Sequence, residues 1–258
     1  MGGRRAQAGK RAASSARLAG KFAVVTGGNR GIGLAIARAL VHEGCSVLIT
    51  GRDPAALRKT KAELAGIAAG VGSGPEIMAE ACDVRDERAV AAVFAKVKKR
   101  WGRLDILVNN AGISQALYTV DETPVEVWRS VIDINLTGMF LCTRAALPLM
   151  GRGSTIVNML SLTVRTAVPK FAAYNASKAG ALGFTQTLRE ELIPRGIRVM
   201  ALFPGATDTA IWEQFWPEAP REKMVRAEDV AAAVTYAVSL PAEANLSELL
   251  LVPTEGLL

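Results

Sequence analysis

Short apolar runs alternate regularly with longer amphipathic stretches from residue 22 onward, and this alternation constrains the fold more than any other feature of the chain. The runs have the length of buried strands, and the stretches between them have helical periodicity. Strands joined by helices form parallel sheets, because each connection crosses back over a face of the sheet. The predicted strands are 22–26, 46–50, 77–82, 104–108, 155–160, 197–203 and 248–252.

The intervening stretches predict helices that cover both faces of this sheet. A long one is predicted over 124–150, and another begins at Tyr174. No linker divides the 258 residues, so the sequence predicts an α/β fold with one doubly wound, Rossmann-type domain over residues 21–258 and seven parallel strands. In such sheets the ligand binds at the carboxyl ends of the strands, near the point where the strand order reverses.

The net charge of +7 is concentrated in the first 20 residues. That segment carries five basic residues and no acid, which leaves about +2 for the remainder. We expect residues 1–20 to be a disordered basic extension rather than an export signal, because they lack an apolar core. An organelle transit peptide is an alternative, as is a tail that tethers the domain to nucleic acid or an anionic membrane. The folded part itself predicts no nucleic-acid partner and no membrane span.

Three widely spaced cysteines and a single histidine limit the other chemistry. Cys45, Cys82 and Cys142 show neither metal-ligand spacing nor an even count, which is typical of a reducing compartment. We therefore expect a cytoplasmic protein without a metal site or a disulfide framework. His42 falls inside a predicted helix, which disfavours a serine–histidine mechanism.

A glycine-rich segment, Thr26-Gly-Gly-Asn-Arg-Gly-Ile-Gly33, follows the first strand and opens the first helix. Gly27 permits a tight turn, Gly31 lets the backbone approach a pyrophosphate, and Gly33 lets the helix pack against the strand. The free N–H groups and the positive dipole end of the helix then face the phosphates. This context predicts a dinucleotide site.

Further motifs follow in a fixed order: Asn109-Asn110-Ala111-Gly112, Asn135, Ser161, Tyr174-x-x-x-Lys178 and Pro204-Gly205. Together with the TGxxxGxG spacing of the glycine loop, they resemble the short-chain dehydrogenase/reductase family over about residues 22–210. The resemblance implies an oxidoreductase that moves a hydride between a nicotinamide cofactor and a carbonyl or alcohol. It also implies a homodimer or homotetramer in which the 124–150 helix and the Tyr174 helix pair across an axis.

Tyr174 and Lys178 lie four residues apart, so their side chains share one helix face. A phenol has a pKa of about 10, and a nearby ammonium is expected to lower that pKa. The resemblance implies that Tyr174 donates or accepts the proton and that Ser161 hydrogen-bonds the substrate oxygen. It also implies that Lys178 binds the nicotinamide ribose, and that Asn135 disrupts its helix locally and holds a water that links Lys178 to solvent.

The predicted second strand ends without a carboxylate to bind a ribose diol. Arg30 and Arg52 flank the expected position of a 2′-phosphate, which favours NADP(H) over NAD(H); both could instead be solvated surface arginines. Asp53 is interpreted as the N-cap of the helix that begins at Pro54. The full set of predicted cofactor contacts is Gly27, Asn29, Arg30, Gly31, Ile32, Gly33, Arg52, Asp83, Val84, Asn110, Ala111, Gly112, Tyr174, Lys178, Pro204, Gly205, Thr207 and Thr209.

Residues 208–226 are predicted to form a substrate lid, because three aromatic residues cluster within 211–217 of a chain poor in aromatics. Core packing or a dimer contact is the alternative explanation for this cluster. The guessed pocket residues are Ser114, Tyr118, Leu162, Trp212 and Phe215. The sequence thus predicts an NADP(H)-dependent reductase of a small-molecule ketone, with a 3-oxoacyl thioester among the candidate substrates. A non-catalytic NADP-binding sensor on the same fold is the competing hypothesis.

Overall fold

The computed structural model describes residues 16–72, 74–214 and 216–256. Seven parallel strands form one sheet: β1 Phe22–Val25, β2 Ser46–Gly51, β3 Ile77–Ala81, β4 Leu104–Asn109, β5 Met150–Met159, β6 Arg198–Pro204 and β9 Glu248–Leu251. Their order in the sheet is β3-β2-β1-β4-β5-β6-β9, which confirms the predicted doubly wound architecture. A separate two-stranded pair joins β7 Thr207–Asp208 to β8 Val225–Arg226.

Seven α-helices in the described part of the chain cover the two faces of the sheet. They are α1 Gly31–His42, α2 Pro54–Ala69, α3 Glu87–Trp101, α4 Val125–Ile132, α5 Gly138–Ala146, α6 Ala172–Leu192 and α7 Ala227–Val238. Alternate residues of β1 face opposite cores: Ala23 and Val25 pack with α1 and α7, whereas Val24 packs with α3 and α5. Burial on both faces explains why the strands read as continuous apolar runs.

The helix predicted over 124–150 is interrupted, and that prediction was wrong in its detail. A π-helical turn, Asp133–Thr137, separates α4 from α5, and β5 already begins at Met150. The turn contains Asn135, whose side chain hydrogen-bonds the backbone of Ile113 instead of facing solvent. A single inserted residue in a helix leaves the apolar pattern on both sides intact, so periodicity did not reveal it.

Ordered structure also begins before residue 21, so the expected domain boundary is corrected. Leu18 is buried in the core that α1 and α7 cover, and its N–H donates to the carbonyl of Glu43 at 2.9 Å. Arg17 forms an ion pair with the Glu43 carboxylate at 2.7 Å. Residues 1–15, which make up most of the predicted extension, lie outside the described residues. Within the described helices, none is both long and apolar enough to cross a membrane.

Candidate active site

A cavity of about 830 Å³ opens at the carboxyl edge of the sheet. It lies where the chain leaves β1 toward one face and β4 toward the other, which is the switch point of the strand order. All predicted site residues line this cavity except Gly33 and Asn135, which lie behind its wall. The lining residues from the prediction are Gly27, Asn29, Arg30, Gly31, Ile32, Arg52, Asp83, Val84, Asn110, Ala111, Gly112, Ser161, Tyr174, Lys178, Pro204, Gly205, Thr207 and Thr209.

The glycine loop has the shape that a dinucleotide pyrophosphate requires. Gly27 and Gly31 have φ angles of 63° and 52°, a region that L-residues rarely adopt. A Cβ atom on Gly33 would lie 2.4 Å from the carbonyl oxygen of Gly27, so this glycine allows α1 to pack against the loop. Arg30 precedes α1 without a side-chain cap, which leaves N–H groups of the first turn available to an anion. These residues fit a dinucleotide.

At the adenosine end of the cavity, β2 ends in Gly51 followed by Arg52. A Cβ atom on Gly51 would lie 2.5 Å from Asn29 Oδ1, so the loop packs closely here. The Asp53 carboxylate accepts a hydrogen bond from the N–H of Ala55 at 2.8 Å and caps α2, as the sequence predicted. Arg30 and Arg52 are exposed, and neither forms a salt bridge within the described residues. Both guanidinium groups are therefore available to an anion.

Asp83 follows β3 and forms the wall of the same end. Its carboxylate pairs with the Arg85 guanidinium at 2.6 Å and also accepts from the Arg85 N–H at 3.0 Å. These hydrogen bonds lower the pKa of Asp83 and hold the turn before α3. Asp83 therefore has two positions of interest: its carboxylate stabilises the turn after β3, and the residue lines the cavity beside Val84.

Ser161, Tyr174 and Lys178 meet at the centre of the cavity. The Ser161 hydroxyl lies close enough to the Tyr174 hydroxyl to lower its pKa, and the Ser161 oxygen accepts from the N–H of Thr163 at 3.2 Å. The Lys178 ammonium lies 5.6 Å from the centroid of the Tyr174 ring and donates to the carbonyl of Met159 at 2.8 Å. Strand β5 and helix α6 therefore supply one polar cluster to the cavity wall.

The pKa of the phenol differs from the sequence-based expectation. Burial raises the pKa of Tyr174, and the hydrogen bond with Ser161 opposes that effect only in part. The same burial lowers the pKa of Lys178 to about 8. The predicted lowering by Lys178 does not appear, because burial and Ser161 are the causes that shift the pKa of Tyr174.

Asn135 connects three parts of the site from the π-helical turn. Its Nδ2 donates to the Ile113 carbonyl at 3.0 Å and to Ser177 Oγ at 3.0 Å, and its Oδ1 accepts from the Ile113 N–H at 2.9 Å. Ser177 in turn donates to the Tyr174 carbonyl at 2.7 Å. The expected helix disruption is present, and the side chain holds the loop after β4 against the first turns of α6.

Gln115 is a site residue that the sequence analysis missed. Its side chain is buried, accepts from the Tyr174 N–H at 2.9 Å and donates to the Lys170 carbonyl at 3.1 Å. It therefore caps the first turn of α6, for which Phe171 provides no side-chain cap. A lone glutamine in a loop carries no sequence signal for such a contact, because its partners lie more than 50 positions away.

The predicted lid segment packs over the cavity as two short 3₁₀ helices between β7 and β8. The Trp212 indole N–H donates to the Thr207 carbonyl at 2.8 Å, and Arg221 bridges the Asp208 carboxylate and the Thr209 carbonyl at 2.6 Å each. Of the guessed pocket residues, Ser114, Leu162 and Trp212 line the cavity. Tyr118 does not line the cavity and pairs with Phe171 in an isolated β-bridge, and Phe215 lies outside the described residues.

Comparison with known proteins assigns this architecture to a family. The model of the short chain dehydrogenase family matches residues 21–220. A 3-oxoacyl-[acyl-carrier-protein] reductase from Synechocystis sp. is 35% identical over 237 residues, which cover 89% of this chain and 94% of the relative. A 2-dehydro-3-deoxy-L-rhamnonate dehydrogenase (NAD(+)) from Sphingomonas sp. is 38% identical over 201 residues, covering 77% of this chain and 76% of the relative.

The solved structures include an alcohol dehydrogenase from Thermococcus sibiricus complexed with 5-hydroxy-NADP. It superimposes with a TM-score of 0.82 at 30% identity and covers 92% of this chain and 97% of that one. The chain belongs to the short-chain dehydrogenase family. It is an oxidoreductase that acts on hydroxyl or carbonyl groups.

Proposed function

We propose that this protein is an NADP(H)-dependent carbonyl reductase that interconverts a ketone and its alcohol, with Tyr174 as the proton donor or acceptor. The observation that carries the proposal is that the Tyr174 and Ser161 hydroxyls and Lys178 line the same cavity as the glycine loop. A pure NADP sensor would need the loop but not these hydroxyls, so their arrangement favours catalysis. The 3-oxoacyl reductase relative supports a 3-oxoacyl thioester as one candidate substrate.

When bound, the nicotinamide supplies a hydride to the carbonyl carbon or accepts one from the alcohol. Ser161 and Tyr174 both present hydroxyl groups that donate hydrogen bonds to the substrate oxygen as negative charge develops there. Tyr174 transfers its proton to that oxygen, which completes the alcohol. Burial raises its pKa, so the hydroxyl holds its proton at neutral pH and is ready to donate it.

Lys178 returns a proton to Tyr174 after this transfer. Its pKa of about 8 lies above neutral pH, so most molecules carry the positive charge. One of its three N–H donors is used by Met159, which leaves two for the ribose hydroxyls and for returning a proton to Tyr174. Asn135 serves this relay by holding the Ile113 loop and Ser177, and any water linked to Lys178 belongs to the same proposal.

The preference for NADP(H) over NAD(H) is proposed from the adenosine end. Strand β2 ends without a carboxylate, and Arg30 and Arg52 flank the cavity there with no internal ion pair among the described residues. Two guanidinium groups suit a phosphate dianion. The NADP analogue in the alcohol dehydrogenase structure supports this choice, whereas the rhamnonate dehydrogenase relative uses NAD(+) according to its name.

We further propose that the enzyme is a cytoplasmic homodimer or homotetramer that acts on a small molecule without a nucleic-acid partner. The exposed aromatic side chains Trp128 on α4 and Phe140 on α5 support an interface on these helices.

The lid is assigned to residues 208–226, because Trp212 and Trp216 from this segment line the cavity.

The test of the proposed function is turnover of a carbonyl panel. We expect the purified protein to oxidise NADPH, followed by its absorbance, in the presence of at least one ketone, oxo acid or 3-oxoacyl thioester. NADPH binding without turnover on any member of a broad panel would favour the sensor hypothesis instead.

A further inference from the structure

The part of the cavity beyond Ser161 and Tyr174 is lined by apolar side chains and carries no charge. Within the described residues, the charged groups that line the cavity are Arg30, Arg52, Asp53, Asp83 and Lys178. The first four lie at the adenosine end, and Lys178 lies behind Tyr174 on α6. The half of the cavity that would receive a substrate therefore offers no cation to neutralise a carboxylate or phosphate.

This substrate half is built from three segments that meet in front of the two hydroxyl groups. The loop after β4 contributes Leu117, the segment between Ser161 and Tyr174 contributes Leu162, Val168 and Phe171, and the lid contributes Trp212 and Trp216. The two indoles pack edge to face with ring centroids 6.0 Å apart. The Phe171 ring packs against the Tyr174 ring in the same way, at 5.8 Å.

The mouth of this half is apolar as well. Leu117, Val168 and Trp216 are 46%, 38% and 41% exposed, and all three line the cavity. A set of exposed apolar side chains around one opening marks a surface that gains free energy when a ligand covers it. Two basic residues of the segment between Ser161 and Tyr174 do not change this conclusion. Lys170 and Arg165 do not line the cavity, and Arg165 is paired with the Glu248 carboxylate.

The polar side chains that remain in this half are neutral, and they include those of Ser114, Thr163 and Thr166. Ser114 Oγ and Thr163 Oγ1 are buried and have no hydrogen-bond partner among the described residues, and both residues line the cavity. A hydroxyl group can satisfy an uncharged oxygen, but it does not compensate for the transfer of a carboxylate out of water. The absence of charged lining groups and the burial of this half therefore both favour an uncharged substrate.

Resting on the proposed function, we propose that the enzyme selects uncharged, largely apolar ketones and rejects ketones that carry a carboxylate at the far end of the chain. The apolar chain of the substrate lies between the Leu117 loop and the two lid tryptophans, and its oxygen reaches Ser161 and Tyr174. Rejection follows from desolvation, because a carboxylate in this half would lose water and find no cation.

A matched pair of ketones tests this selection. 2-Octanone and 7-oxooctanoate have the same reacting end and the same chain length, and they differ in a terminal methyl or carboxylate group. We expect the native protein, saturated with NADPH, to reduce 2-octanone with a kcat/KM at least about tenfold higher. The Leu117→Arg variant places a cation at the exposed rim and should narrow this ratio by about fivefold or more. Leu117→Gln is the matched uncharged control and should leave the ratio within about twofold.

Binding measured by tryptophan fluorescence separates this inference from the proposed function. If neither ketone is reduced but 2-octanone alone perturbs the fluorescence, the substrate class stands and the catalytic proposal fails. If both are reduced equally well, or the oxo acid better, the proposed reductase stands and the inference about its substrate is overturned. If neither compound is reduced and neither perturbs the fluorescence, the apolar half is not a ketone site and the inference is likewise overturned.

Discussion

At the scale of single residues, the proposed choice of cofactor rests on the two guanidinium groups at the adenosine end. Arg30 and Arg52 are exposed and form no salt bridge within the described chain, so their charge is available to a 2′-phosphate. We expect the native protein to bind NADPH at least about tenfold more tightly than NADH, which corresponds to roughly 1.4 kcal/mol. Each single change, Arg30→Ala or Arg52→Ala, should weaken NADPH binding severalfold and leave NADH binding within about twofold.

Isothermal titration with both cofactors measures this preference. Arg58→Ala removes an exposed arginine of α2 that does not line the cavity, and it serves as the control. Equal affinities of the native protein for NADPH and NADH would remove the role given to both arginines.

The motif residues show which part of a site a sequence can reveal. The spacing of Tyr174 and Lys178 and the order of the glycines located the cavity, because each motif sits at a strand end or on one helix face. The direction of the Tyr174 pKa shift was not predictable in this way. It depends on burial and on the Ser161 hydroxyl, and neither is encoded in residues close to Tyr174 in the sequence.

At the scale of elements, the π-helical turn between α4 and α5 is stabilised by one side chain. Asn135 hydrogen-bonds the part-buried N–H and carbonyl groups of Ile113 and the buried hydroxyl of Ser177 on α6. We expect Asn135→Ala to lower the free energy of unfolding by about 2–4 kcal/mol, because these groups lose their partner. Urea unfolding followed by circular dichroism measures the change.

Gln186→Ala on the exposed surface of α6 is the control and should change stability by less than about 0.5 kcal/mol. An Asn135→Ala variant as stable as this control would show that the turn does not depend on the side chain. The apolar pattern predicted one long helix over 124–150 because it contains no signal for the π-helical turn. Asn135 in that turn hydrogen-bonds Ile113, which lies 22 positions away in the sequence.

At the scale of the whole molecule, alternation of strands and helices was sufficient to predict the sheet and its two covered faces. It did not predict that Leu18 joins the core, because a single leucine beside a basic segment has no periodicity. Strand β5 also begins earlier than predicted. Its first residue pairs with Leu104 across a register shift, and the glycines that follow gave no strand signal.

The depth of the core predicts how stability depends on pH. Cys45 is fully buried, and burial raises its thiol pKa far above the value of about 8.5 in an unfolded chain. The folded state therefore binds more protons above that pH, so this contribution to stability is complete below about pH 8.5 and falls as the pH rises. Cys82 and Cys142, with pKa values raised to about 11 and about 12, act in the same direction.

We expect the native protein to lose about 2 kcal/mol more stability than Cys45→Ala between about pH 9 and pH 10.5. The variant removes one titrating thiol and leaves every other group in place, which includes the opposing contribution of Lys178. Urea unfolding at a series of pH values gives the slope of the unfolding free energy against pH for the native protein and for the variant. Parallel slopes would mean that the thiol of Cys45 titrates equally in the folded and unfolded states.

The most direct test of the account is the rate of NADPH oxidation by Tyr174→Phe with a ketone that the native protein reduces. The variant keeps the ring that packs against Phe171 and loses only the hydroxyl, whose pKa Ser161 lowers. We predict a fall in kcat of at least about a hundredfold, with NADPH affinity and the midpoint of urea unfolding almost unchanged. A Phe variant that retains most of the native rate would contradict the assignment of Tyr174 as the proton donor.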